Sequence, residues 1–314
     1  MAIVQATLAC SGGHLELWRL GVIAQLIGVT KRALGLTYPG RTLAVFPDDT
    51  FLVSFPKSGN TWARFLIANL RFPERHPNFG NIDELIPAPL ATTHRKLNRV
   101  PRPRIIKSHD CFDPRFKKVI YIVRDPRDVV LSQYHFHRKR ELVQDASSIE
   151  AFTQRFLAGE TAEYGSWGDH VTTWLGTSRN KPAFLLIRYE DLVADTYREL
   201  SKIASFLKVA ASPDQIALAV ARSSSDEMRK LEKKQVQNSV LTRGRQDIGF
   251  VRSAKSGEWK QALPEHCVEA IEHAWGNVMT QVGYELVGKR NVKSMAVSVP
   301  AGSVSSIIRD LPAV

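Results

Sequence analysis

Thr50-Phe-Leu-Val-Ser-Phe55 runs directly into Pro56-Lys-Ser-Gly-Asn-Thr-Trp62, and the apolar spacing of Ala63 to Leu70 follows without a break. A short run of β-branched and aromatic residues predicts a strand, and the 3.6-residue spacing over Thr61 to Leu70 predicts a helix. The unit is therefore strand, loop, helix. Ser58, Gly59, Asn60 and Thr61 at a helix start present backbone N–H groups and hydroxyls to an anion, and Lys57 adds a positive charge. The loop reads as a phosphate cradle. It is not a Walker A loop, which needs a second glycine and a lysine after the last glycine, whereas Lys57 precedes the single Gly59. The same residues also fit an ordinary helix start capped by Thr61 or Asn60.

Further along, strands are predicted at Arg104 to Lys107, Lys118 to Val123 and Ala183 to Arg188. Helical patterns cover Pro126 to Arg138, Ser148 to Leu157, Trp167 to Leu175, Thr196 to Leu207 and Pro264 to Val282. Near-continuous apolar strands alternating with helices predict an α/β fold, a central parallel sheet with helices on both faces. Ligands in such folds bind beyond the carboxyl ends of the strands, which draws attention to Pro56, Ser108, Arg124 and Tyr189. Arg124 ends one strand, Asp125 and Pro126 look like an N-cap and first helical residue, and Ser132 follows about two turns on. A guanidinium with a hydroxyl nearby suits a second phosphate, although Arg124 could instead pair with Asp128. Two separated anion sites imply a nucleotide with phosphates at both ends.

The 314 residues carry 43 Lys and Arg against 31 Asp and Glu, a net charge of +12. Such an excess points to polyanionic partners, but its spread along the chain is unlike the basic helix or arm of a duplex reader, and no nucleic-acid role is expected. Cys10, Cys111 and Cys267 are far apart and without C-x-x-C pairing, so neither a disulfide framework nor a zinc site is expected, and the thiols suit a cytoplasmic protein. Leu20 to Val29 is too short to span a bilayer; it reads as part of a helix docked on the domain, with weak peripheral membrane contact as the other reading. The expected organisation is an N-terminal helical segment over 1–47, one domain over 48–290 and a loose tail over 291–314.

On four motifs the sequence resembles the sulfotransferases that use 3′-phosphoadenosine 5′-phosphosulfate (PAPS), in particular their cytosolic, hydroxyl-directed branch. The motifs are Pro56 to Trp62, Ile105-Ile-Lys-Ser-His109, Val119 to Ser132, and Arg252-Ser-Ala-Lys-Ser-Gly-Glu-Trp-Lys260, with weaker echoes at Gly165 to Trp167, Arg188 to Asp191 and Met228. The resemblance implies a P-loop-kinase-like sulfotransferase fold. It also implies that Lys57 to Thr61 hold the 5′-phosphosulfate and that Trp62 stacks on adenine. By the same likeness Arg124, Ser132 and Arg252 hold the 3′-phosphate, and Tyr189 and Ser223 contact the adenosine. His109 is then the general base, supported by Lys57 and Lys107, and no metal is expected.

This sequence departs from the family pattern at Ser253 and Ala254, which replace Lys-Gly, at Glu258, which replaces Asp, and at Ser225, where an aromatic residue is frequent. Lys255 is placed to take over from the missing lysine. The family's dimerisation motif is not visible in Gln261 to Glu269, so the oligomeric state stays open. The expected reaction is sulfuryl transfer to a hydroxyl-bearing small molecule or glycan. The alternatives are a nucleotide kinase with an atypical phosphate loop and a non-catalytic nucleotide or polyanion binder. Phe79, Ile82, Leu85 and Ile86 would suit an apolar acceptor, whereas Arg95, Lys96, Arg99, Arg102 and Arg104 would suit an anionic sugar.

Overall fold

Alternate side chains of a strand point to opposite faces, so a strand apolar at every position must be covered on both. That is the arrangement in the computed structural model, which describes residues 42–179, 181–234 and 244–287 together with Thr30, Lys31 and Leu34. Strands β1 (Thr50–Ser54), β2 (Ile105–Ser108), β3 (Lys118–Val123) and β4 (Phe184–Arg188) form a parallel sheet in the order β2-β1-β3-β4. Thr50 is level with Ile105 on one side and Lys118 on the other, and Val119 with Phe184. The strands' carboxyl ends therefore open together at Ser54, Ser108, Val123 and Arg188.

Phe51, Val53, Val119, Tyr121 and Val123 face one core, shared with Val129, Phe156, Trp167, Trp174 and Ile271. Leu52, Ile120, Ile122 and Ile187 face the other, shared with Phe65, Leu66, Leu200, Ile203 and Ala219. The covering helices are α1 (Asn60–Arg71), α4 (Pro126–Lys139), α5 (Ile149–Leu157), α6 (Trp167–Ser178), α7 (Tyr189–Ala194), α8 (Thr196–Leu207), α9 (Pro213–Arg222), α10 (Ser225–Lys234) and α12 (Glu265–Gln281). Single-turn α2 (Ile82–Leu85) and α3 (His94–Leu97) occupy the Pro-punctuated stretch before β2, and α11 (Trp259–Ala262) precedes α12.

Helix starts follow capping chemistry. The Asp125 carboxylate accepts from the Arg127 N–H at α4, with Pro126 at the first position, and Ser148, Ser166 and Asp195 accept from backbone N–H groups at α5, α6 and α8. At α9, Ser212 and Gln215 form a reciprocal capping box. At α1 the cap position is Gly59, at φ 94°, without a side-chain cap bond, so the alternative reading of an ordinary helix start capped by Thr61 or Asn60 does not hold.

Among the described residues, no helix is long and apolar enough to cross a membrane. The helix expected around Leu20 to Val29, the tail over 291–314 and Cys10 lie outside the described residues.

Candidate active site

The loop after β1 turns on two left-handed residues, Lys57 at φ 69° and Gly59 at φ 94°. A Cβ on Gly59 would sit 2.5 Å from Tyr189 Cδ2, so only glycine allows both this turn and this approach. Asn60 Nδ2 donates to the Leu52 carbonyl (3.1 Å) and to Ser54 Oγ (3.3 Å), fastening the start of α1 to the strand. Ser58 Oγ and Asn60 Oδ1 are buried without a hydrogen-bond partner. The Lys57 ammonium lies over the rings of Phe136 (4.4 Å) and Phe250 (4.7 Å). Among the described residues no carboxylate forms an ion pair with it. Burial, reinforced by Arg124 and Arg252, lowers its pKa to about 7.

Arg124 stands where β3 ends, as expected. It donates to the carbonyls of Lys57 and Lys255 (3.2 Å each) and lies 4.3 Å from the Tyr189 ring centroid, while its Nε is buried without a partner. Asp128 is 3.9 Å away. The Asp128 carboxylate mainly accepts from the backbone N–H groups of Gly257 (2.7 Å) and Trp259 (3.0 Å), which ties the third motif to α4. Tyr189 also meets Trp62 edge-on (5.9 Å), and Trp62 Nε1 donates to the Ser223 carbonyl (2.9 Å). Ser223 is buried, its Oγ accepting from Asn69 (3.0 Å). Tyr189 thus links the loop, Arg124 and Trp62. The orphaned donors on Ser58 and Arg124 beside the Lys57 ammonium fit a bound polyanion, since a buried polar group without a partner is costly.

The third motif holds itself. Arg252 forms a two-pronged ion pair with Glu258, and Ser253 Oγ donates to the same carboxylate (2.7 Å). Burial works to raise the Glu258 carboxyl; the bonds from Ser253 and Arg252 outweigh it, and the net shift is downward. The side chain of Lys255 is exposed, and its carbonyl is what meets Arg124. Ala254 adopts φ 55°.

His109 follows β2 and returns to β1: its Nδ1 lies 2.7 Å from the Ser54 carbonyl. A carbonyl only accepts, so Nδ1 carries the hydrogen and Nε2 keeps its lone pair. Burial, then the nearby Lys107, holds the imidazole pKa well below its ordinary value. Lys107 falls to about 8, through burial and then Arg64. His170 Nε2 donates to the carbonyls of His109 and Asp110 (3.1 Å each) and its Nδ1 accepts from Tyr121 (2.8 Å), while Trp174 Nε1 also donates to Asp110 (3.1 Å). The backbone around His109 is therefore clamped. His109 opens on a cavity of about 590 Å³, part of it open to solvent, shared with Lys107 and Asp110, the stretch from Ala88 to Leu90, and Glu163 and Tyr164.

Residues 47–283 match the family model described as the sulfotransferase domain. Sulfotransferase 1A1 of Bos taurus is 32% identical over 257 residues, covering 76% of this chain and 84% of that protein. The 3-beta-hydroxysteroid sulfotransferase of Cavia porcellus is 30% identical over 258 residues, covering 78% and 87%. The chain belongs to the PAPS-dependent sulfotransferase family. A crystal structure of mouse sulfotransferase SULT7A1, complexed with PAP, superposes with a TM-score of 0.62 at 26% identity, covering 80% of this chain and 90% of that one.

Among sulfotransferase residues expected from the sequence, the structure links Lys57, Gly59, Trp62, Arg124, Tyr189 and Ser223 through the contacts above, with Arg252 in the third motif, Ser132 on α4 and His109 and Lys107 at the end of β2. The acceptor residues come out differently. Phe79, Ile82, Leu85 and Ile86 are buried in the core beneath the sheet. Arg102 and Arg104 are paired with Asp48 and Asp49. Phe136 and Phe250, which flank Lys57, escaped the sequence reading because α4 and the chain near the third motif meet only in the fold.

Proposed function

We propose that this sulfotransferase transfers a sulfuryl group from PAPS to the hydroxyl of a small molecule, with His109 as general base. The observation that carries this reading is that base and anion cradle hang from one strand end. Ser54 closes β1, accepts from His109, and leads into the loop of Lys57 to Thr61. The bound donor supplies an activated sulfuryl group on a phosphate leaving group. The acceptor O–H gives its proton to His109 Nε2 as the new S–O bond forms and the bridging S–O bond breaks, its electron pair passing to the phosphate. Lys57 and Lys107 offset the charge that develops there, which is mostly a matter of positioning and electrostatics.

Ser58 to Thr61 receive the 5′ end of the nucleotide, Trp62, Tyr189 and Ser223 its adenosine, and Arg124, Ser132, Arg252 and Lys255 its 3′-phosphate. A hydroxyl acceptor agrees with the hydroxysteroid relative. The family match sets the nucleotide kinase aside. Binding without turnover keeps one observation in its favour, the capture of Arg252 by Glu258.

Calorimetric titration of Arg124→Ala tests the nucleotide reading. The affinity for PAP should fall about tenfold or more, while that for adenosine 5′-phosphosulfate, which lacks the 3′-phosphate, changes little. Equal losses for both ligands would remove Arg124 from this role.

A further inference from the structure

The cavity beside His109 is acidic at its mouth. Among the described residues no arginine lines it, and Arg102 and Arg104 are paired with Asp48 and Asp49. Its charged residues besides His109 are Lys107, Asp110 and Glu163. In the proposed reaction Lys107 faces the leaving group, and the Asp110 carboxylate already accepts from Ser108 Oγ (2.5 Å) and the Ser108 hydroxyl from the Asp110 N–H. Glu163 is exposed and forms no hydrogen bond or ion pair among the described residues. It neighbours Tyr164, whose ring lies 5.7 Å from that of His109 and whose carbonyl accepts from Cys111 Sγ (3.2 Å). Burial first, then Asp110 and Glu163, raises the Tyr164 phenol to about 12. Ala88, Pro89 and Leu90 supply an apolar wall.

Resting on the sulfotransferase reading above, we propose that the acceptor is a phenol or alcohol that also carries an ammonium group, its hydroxyl at His109 and its ammonium at Glu163. An apolar body fits between Pro89, Leu90 and the Tyr164 ring. The ammonium, already protonated, has no lone pair to attack sulfur, so the transfer remains on oxygen: the hydroxyl proton passes to His109, one S–O bond forms and one breaks, and the ammonium is unchanged. Glu163 thereby sets specificity. It pairs with a part of the acceptor that does not react, and a carboxylate there would be repelled.

The test compares kcat/KM for tyramine, the neutral p-ethylphenol and the anionic p-hydroxyphenylpropionate, with PAPS as donor. Tyramine should exceed p-ethylphenol by about fivefold or more at low salt, the anion should be poorest, and added salt should narrow the gap. Glu163→Gln should bring the tyramine to p-ethylphenol ratio close to one, and Glu163→Lys should favour the anion. Equal use of tyramine and p-ethylphenol by the unmodified enzyme, or a ratio that Glu163→Gln leaves intact, overturns this proposal alone. Transfer to none of the three by a protein that binds PAP overturns both the amine proposal and the phenol-directed form of the reading.

Discussion

Lys57 is the residue on which nucleotide binding and pH meet. Its folded pKa is lowered from 10.5 to about 7, so between those values the unfolded chain holds a proton that the folded chain lacks. Folding stability owed to this group therefore rises with pH across that window. A phosphate placed against Lys57, as proposed, would reverse the shift. PAP binding above about pH 7 should take up a proton, read as a dependence of calorimetric heat on buffer ionisation enthalpy, and affinity should fall as pH rises. Binding heat that is independent of buffer would contradict the placement of Lys57 against the phosphates. Glu258 gives a second expectation. Its carboxylate holds Arg252, the residue proposed for the 3′-phosphate, so on that proposal Glu258→Gln should tighten PAP more than adenosine 5′-phosphosulfate. An equal effect on both would mean that Arg252 does not meet the 3′-phosphate. Lys57, His109, Arg124 and Tyr189 were legible because they follow strand ends, whereas Trp62, Ser223 and Arg252 rested on the family resemblance. The hold of Glu258 on Arg252 was not legible, since it depends on a carboxylate reaching back around a turn at Ala254.

At the scale of elements, α4 is anchored through Arg127, which lies between Asp125 (2.6 Å) and Glu272 of α12 (2.5 Å) and over the Trp259 ring (3.7 Å). Arg127→Ala takes the guanidinium away from two buried carboxylates and should cost about 3–5 kcal/mol, read as a lower Tm and an earlier denaturant midpoint. A loss below about 1 kcal/mol would show that the network is dispensable. The Gly59 turn makes a sharper demand: Gly59→Ala combines a left-handed alanine with an overlap on Tyr189, so it should weaken PAP binding together with stability. Unchanged PAP affinity would show that the loop can relax. β1 and β3 were readable because burial on both faces leaves them almost wholly apolar, and β2 and β4 because short apolar runs mark them. α10 was not, since only Met228 and Glu232 of it are buried and no apolar stripe marks it. α9 was not read either, although Ser212, Pro213 and Gln215 mark its start with a capping box, and single-turn α2 and α3 are too short for periodicity to show.

In the whole molecule, the order β2-β1-β3-β4 places the anion loop, His109 and Arg124 at the same edge of the sheet. No single motif contains that juxtaposition. It was foreseeable only through the general rule for parallel sheets, and the acceptor cavity, built from loops between strands, was beyond that rule. The central claim is that this edge transfers sulfate to a hydroxyl with His109 as base. The most direct measurement follows PAP and sulfated acceptor together by mass spectrometry, for the unmodified enzyme and His109→Ala, beside calorimetric PAP affinity. The expected result is equal amounts of the two products from the unmodified enzyme, and a rate about 10² to 10⁴-fold lower in His109→Ala with PAP affinity little changed. A stable His109→Ala protein that turns over at a near-normal rate, or one that loses PAP binding along with activity, would contradict it.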